Sequence, residues 1–260
     1  MDWTDDGIVL SARKQGESSA IVQLLTKGHG RHAGLVRGGI GRRLRGVLQP
    51  GNQVIATWRA RLAEHLGTFT VELTRARAAG FFSDSERLAG LSAACAVAEV
   101  VLPEREPHVG AYDGLLALLD GIELSGSWPL MYVQWEAGLL AELGFGLDLS
   151  SCTRTGAETG LGYVSPRSGR AVSERGAGVY RDRLLRLPAF LVARGRGVGD
   201  PTPTAPDELQ GAISDGLALT GYFLEQHVLT DRNPELPPAR TRLVERFSRS
   251  TTTSSAISLP

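Results

Sequence analysis

Residues 36–61 read VRGGIGRRLRGVLQPGNQVIATWRAR and hold six arginines without one carboxylate. A guanidinium offers a planar fork of donors that fits a phosphate in bidentate fashion, and each phosphate contact releases a condensed counterion. The glycines directly before Arg42, Arg43 and Arg45 raise a second chemistry, a glycine-rich loop around a nucleotide phosphate. Spacing argues against it. A Walker loop ends in Gly-Lys followed by Ser or Thr, and here both the lysine and the hydroxyl are missing. A dinucleotide fingerprint needs Gly-x-Gly-x-x-Gly, and after Gly39-Ile40-Gly41 the third glycine is displaced. A track for a polyanion fits better: from residue 32 to residue 63 no acid neutralises the cluster. The glycines also let the chain approach a phosphate backbone closely.

Other chemistries find little support. His29, His32, His65, His108 and His227 show no metal-ligand spacing, and neither HExxH nor Gly-x-Ser-x-Gly occurs. Glu99, Glu136 and Glu142 read as solvated positions on helices. No catalytic residue, no cofactor and no enzymatic activity are expected. The two cysteines, Cys95 and Cys152, make no disulfide framework, which fits a reducing compartment. A closed zinc site needs four N or S ligands. Three residues after Cys152 stands Thr155, and SPRSGRAVSERG has no cysteine, so Cys152 reads as a plain, partly buried thiol.

The arginines need a scaffold, and the first 80 residues read as β structure. GIVLSARK, AIVQLLTK, RHAGLVRG, NQVIATWRA and GTFTVELTR are short strands separated by the turn signals GES, GHG, GGIG, QPG and HLG. Five short strands suit a closed barrel, because closure removes exposed edges. With a long connection after the third strand, the pattern is that of an oligonucleotide-binding barrel, with Arg42, Arg43 and Arg45 on a loop between strands. Trp58 and Phe69 are candidates for stacking on bases, weighed against the commoner fate of strand aromatics in a core.

From residue 81 the apolar period becomes helical. Asp84 or Ser85 is a candidate N-cap for a helix with Leu88, Leu91, Cys95, Ala98 and Leu102 on one face. Three later stretches repeat the pattern, at Val109, Tyr112, Leu116, Leu119 and Ile122; at Met131, Trp135, Leu139 and Leu143; and at Leu209, Ile213, Leu217 and Phe223 or Leu224. The fold class is therefore α+β: a barrel domain at 1–80, a helical domain at 81–147 and 179–249, an inserted knuckle at 148–178 and a disordered tail at 250–260.

Charge divides along the same line. The chain balances 28 basic against 28 acidic residues, yet residues 1–80 hold twelve basic and six acidic ones. A basic module joined to an acidic one suggests different partners for each. No apolar run approaches the roughly 20 residues that span a bilayer, and the acidic start MDWTDDGIVL does not suggest export.

GIVLSARKQGESSAIVQLLTKGHGRHAGLVRGG, then ELGFGLDLSSC, then GLGYVSPRSGRAVS resemble, in that order, segments of the RecO family of recombination mediators. The resemblance extends to about residue 245. It implies an N-terminal oligonucleotide-binding barrel followed by a helical domain with an inserted knuckle. It also implies binding of single- and double-stranded DNA, strand annealing, contacts with RecR and with the acidic tail of single-strand binding protein, and help in loading RecA. Many relatives carry a four-cysteine zinc knuckle, whose positions here are Cys152, Thr155, Ser173 and Gly176. Metal is therefore not expected.

The candidate DNA contacts are Arg13, Lys14, Lys27, Arg31, Arg37, Arg42, Arg43, Arg45, Arg59 and Arg61. Arg181, Arg183 and Arg186 are candidates for the rim of a site for an acidic protein tail, weighed against a solvated helix face. A monomer in the cytoplasm, at the nucleoid, is expected. An RNA-binding barrel protein and a metabolic enzyme with a glycine-rich loop stand as the alternatives.

Overall fold

The N-terminal strand β1 (Asp2–Gln15) is long enough to serve two neighbours. Its first half runs antiparallel to β4 (Gln53–Arg59), and from Gly7 onward it pairs with β2 (Ser19–Thr26). An irregularity between Val9 and Ser11 turns it from one partner to the other, as bulges do where a sheet must bend. β3 (Gly30–Val36) lies beside β2, and β5 (Thr68–Arg75) beside β4. One parallel pairing, Leu35 opposite Thr68, closes the ring in the order β1-β2-β3-β5-β4. This is the five-stranded oligonucleotide-binding barrel that the strand pattern suggested. β1 begins ahead of the apolar run because Asp2, Thr4 and Asp6 face solvent there.

The computed structural model describes residues 1–81, 83–193, 205–229 and 235–253. Inside the barrel, Val9, Val22, Leu24, Val54 and Ala56 are fully buried. Trp58 and Phe69 join them at 2% and 4% exposure, so neither is a platform for a base. The Trp58 indole instead donates to the Leu66 carbonyl at 3.0 Å. The stretch expected as an open loop closes into a short helix, α1 (Arg42–Val47). Its Leu44 and Val47 pack on the barrel core, and that contact is what coils the segment.

Two helices complete the same compact unit, which spans Met1–Gly126 with Pro237–Arg240. α2 (Ser85–Val101) starts on Asp84, whose carboxylate accepts from the amides of Glu86 and Arg87. α3 (Val109–Leu124) follows. Both pack on the barrel. Leu91 presses on Gly51, where a Cβ would sit 2.6 Å from its Cδ1. Arg77, wholly buried, donates from Nη2 to Asp120 at 2.6 Å, and Arg75 reaches Asp120 and Glu123 at 2.9 and 2.7 Å.

The second unit runs over Ser127–Leu236 and from Thr241 onward. It contains α4 (Trp128–Glu142) and a small sheet of β6 (Leu161–Val164), β7 (Ala171–Ser173) and β8 (Leu185–Arg186) in the order β7-β6-β8. The short α5 (Glu174–Ala177) and α6 (Ala189–Ala193), then α7 (Pro206–Phe223) and, from Thr241 onward, α8 (Pro238–Thr253), complete its α-helices among the described residues. Glu136 departs from the solvated face expected of it. It is fully buried on α4 and accepts a hydrogen bond from the Thr220 hydroxyl of α7. The helix carries buried residues on two sides, Trp135 and Leu139 on one and Tyr132, Val133 and Leu140 on the other, which leaves Glu136 no route to water. Helical backbone reaches Thr253, into the first residues of the tail expected to be disordered; residues 254–260 lie outside the described residues.

Candidate nucleic-acid interface

α1 is held by its surroundings rather than by its own length, since six residues make too short a helix to stand alone. Asn52, 1% exposed, fixes its end. The Asn52 amide donates to the carbonyls of Gly46 and Val47 at 2.9 and 3.1 Å. Its side-chain oxygen accepts from the amides of Arg77 and Ala78 at 2.9 and 3.3 Å. At the other end Gly39 lies flat on β2, where a Cβ would stand 2.8 Å from Ala20 Cβ and 3.0 Å from the Val36 carbonyl. Gly39 thus serves close packing of the segment before α1 on the barrel.

The ten cations proposed from sequence fall into two sets. Three are neutralised by carboxylates of α2, α3 and the connection between them. Arg13 pairs with Glu99 at 2.9 Å and Lys27 with Asp113 at 3.2 Å. Arg31 donates to the Leu102 carbonyl at 2.7 Å and pairs with Glu104 at 3.2 Å. Its side chain is only 15% exposed, which makes it a structural tie between β3 and the α2–α3 connection. Lys14, Arg37, Arg42, Arg43, Arg45, Arg59 and Arg61 are exposed and make no ion pair among the described residues. Sequence alone could not divide the set, because the neutralising carboxylates stand far downstream, as the separations of 86 for Arg13–Glu99 and 73 for Arg31–Glu104 illustrate.

Five of the seven free cations border α1. One groove, about 690 Å³, runs between the end of β3, the start of α1 and the start of β5, and holds Arg37, Arg42 and Arg43. Thr68 and Thr70 line its opposite wall and add hydroxyls that the sequence reading did not single out. A second groove, about 590 Å³, lies between the far side of α1 and the β1–β2 hairpin and holds Lys14 and Arg45. Neither lining contains a carboxylate. Arg59 stands opposite Thr68 in the β4–β5 register, so it extends the rim of the first groove. The aromatics nearby are engaged with one another: Trp3 stacks on His29 at 4.1 Å and lies 5.8 Å from Trp58. Burial, with the Arg105 charge nearby, pushes the His32 pKa below its ordinary value, which keeps the ring neutral beneath that cluster.

The N-terminal family model of recombination protein O matches residues 1–77, and its C-terminal model matches residues 83–236. The chain belongs to the RecO family. It is 52% identical over the full length of both chains to the DNA repair protein RecO of Rhodospirillum centenum. It is 52% identical to that of Rhodospirillum rubrum over 96% of this chain and 97% of the relative. The protein of the same description from Nitrobacter hamburgensis is 49% identical over 94% and 93%. Among the described residues no helix is long and apolar enough to cross a membrane.

The four positions at which the RecO resemblance implies zinc ligands do come together. Ser173 donates through Oγ to Cys152 Sγ at 3.3 Å, lies 3.3 Å from the Thr155 hydroxyl, and accepts from the Gly176 amide at 3.0 Å. A Cβ on Gly176 would approach Cys152 Sγ to 2.9 Å, so the side chain that would carry a fourth ligand has no room as the knuckle is packed. One thiol, two hydroxyls and a glycine do not fit zinc. Nor is Cys152 the ordinary, partly buried thiol expected: it is 2% exposed. Burial pushes its pKa up, but hydrogen bonds from Ser173, Thr155 and the Arg154 amide outweigh it and hold the thiol down at about 6. At Cys95 burial outweighs the one backbone hydrogen bond, from Gly51, and pushes the thiol up to about 12.

Arg181 and Arg183 lie on a 3-10 turn (Gly178–Arg183) and Arg186 on β8. Arg181 pairs with Glu174 at 2.9 Å, and Arg181 and Arg186 both lie over the Tyr163 ring, at 5.7 and 5.3 Å. Arg183 is exposed and unpaired among the described residues. Val179 and Tyr180 beside them are 91% and 51% exposed.

Proposed function

We propose that the chain is a DNA repair and recombination mediator that binds single- and double-stranded DNA without reading sequence, anneals complementary strands and, with RecR, helps RecA load onto strands coated by single-strand binding protein. The observation that carries this reading is the group of five free cations around α1, with no carboxylate in either adjoining groove. Phosphate contacts of this kind position a strand but carry no base information. The burial of Trp58 and Phe69 supports a binding mode resting on phosphate rather than on stacking. Cations between two strands lower their mutual repulsion, which is the electrostatic obstacle to pairing. The activity is non-catalytic and the chain acts as a monomer. Arg181, Arg183 and Arg186, next to exposed Val179 and Tyr180, receive the acidic tail of single-strand binding protein.

The deciding experiment is charge reversal. Arg42→Glu, Arg43→Glu and Arg45→Glu together abolish single-strand binding at moderate salt while the melting temperature stays near wild type. Undiminished binding would remove α1 from the DNA path. Competition between RNA and single-stranded DNA for the wild-type chain separates this function from that of an RNA-binding barrel.

A further inference from the structure

We infer that α1 is a partition between two strands, with one phosphate backbone held in each of the grooves that flank it. The inference rests on the DNA-binding reading above and adds to it a stoichiometry and a geometry. The two grooves are separate, each bounded by α1 on one side and by barrel strands on the other. Their free cations are divided between them, Arg37, Arg42 and Arg43 in one and Lys14 and Arg45 in the other. A single-strand track along one wall of the barrel would need only one of these.

The spacing suits two backbones. An α-helix with its side chains is about 10–12 Å across, and the major groove of B-DNA is about 12 Å wide and admits a helix. Phosphates seated on either side of α1 therefore stand about as far apart as they do across a major groove. Bases on the two strands would project past the exposed face of the helix, where Gly46 presents no side chain, and could pair there. Arg42, Arg43 and Arg45 would then lie between the two rows of negative charge, where cations offset strand repulsion most. The same seat accepts the finished duplex, with α1 lying in its major groove and contacting phosphates rather than base edges.

The test uses the full chain and short oligothymidylates, which cannot pair with one another, labelled with either a donor or an acceptor fluorophore. At low salt the wild type binds two per chain and gives energy transfer. Two charge-neutral variants empty one groove each: Arg37→Gln with Arg42→Gln and Arg43→Gln, and Lys14→Gln with Arg45→Gln. All five side chains are exposed, and melting curves verify that folding is kept. Each variant still binds one oligothymidylate, loses energy transfer, and anneals complementary strands about tenfold more slowly or worse, as removal of two or three phosphate contacts implies. Mixing the two variants restores nothing, because the grooves must belong to one chain. One oligothymidylate per wild-type chain, or energy transfer regained on mixing, overturns the partition and leaves DNA binding standing. No binding at all by the wild type overturns both.

Discussion

Arg13 Nη2 meets Glu99 Oε1 at 2.9 Å, across 86 residues of sequence. The glutamate is the more enclosed partner, 14% exposed against 77% for the arginine, so the pair mainly withdraws a cation from the barrel surface. Glu99→Gln should release it. Stability is expected to fall by less than about 1 kcal/mol, as for other half-exposed pairs. Single-strand affinity should rise, and the plot of log affinity against log salt should steepen by about 0.7 per phosphate gained. An unchanged slope would mean that Arg13 lies off the DNA path.

Asn52 tests whether the placement of α1 matters apart from its charge. Asn52→Ala removes two donors from the end of α1 and leaves the buried amides of Arg77 and Ala78 without their acceptor. A loss of about 2–3 kcal/mol in chemical denaturation is expected from the unsatisfied groups. At temperatures where the variant is fully folded, DNA binding should still weaken, with the salt slope little changed because no cation has gone.

Arg75, at the end of β5, and Arg77, just beyond it, should differ sharply. Arg77→Ala removes a charge with a side chain 0% exposed and strands part of Asp120's pairing, at a cost of about 3 kcal/mol or more. Arg75→Ala removes one that is 42% exposed, and Arg77 remains on Asp120, so less than about 1 kcal/mol is expected. Paired urea titrations measure both. Equal costs would contradict the burial difference.

Cys152 gives the knuckle a pH dependence. Its folded pKa, about 6, lies below that of an exposed thiol. For a depressed pKa the folded state sheds its proton first, so stability rises with pH between about 6 and the unfolded value near 8.5, and is lost as pH falls through 6. Hydrogen exchange at the Cys152 and Ser173 amides should therefore slow relative to intrinsic exchange over that window. Cys152→Ala should flatten the trend, and a chelator should change nothing.

Much of the fold was legible because its signals are local. Alternation of apolar residues marked the strands, and the glycine turns marked their ends. Asp84 and Ser85 were the two candidate caps of α2, of which Asp84 is the cap, and Leu91, Cys95 and Ala98 lie on its buried face. α3 was read in part: Tyr112, Leu119 and Ile122 are buried as expected, but Leu115 and Leu118 carry the rest of the face, and Val109 at its start is 47% exposed. The site was legible as a composition, an acid-free run of arginines, but not as a geometry. Whether Arg31 faces a phosphate or a backbone carbonyl depends on where Leu102 and Glu104 come to lie, and no pattern around residue 31 encodes that. The helical state of Arg42–Val47 was hidden for a similar reason: Leu44 and Val47 read as a helical face only once there is a barrel to bury them.

The lid of α2 and α3 on the barrel bears on how the DNA-binding part can be isolated. A fragment ending at Gly80 would shed Glu99, Glu104, Asp113, Asp120 and Glu123, and so strip Arg13, Lys27, Arg31, Arg75 and Arg77 of their counter-charges. It would also bare the apolar surface under Leu91. Such a fragment would adhere to heparin, RNA and DNA alike and overstate the grip of the whole protein. A fragment closing at Gly126 retains α2 and α3, and with them the carboxylates that claim those five cations.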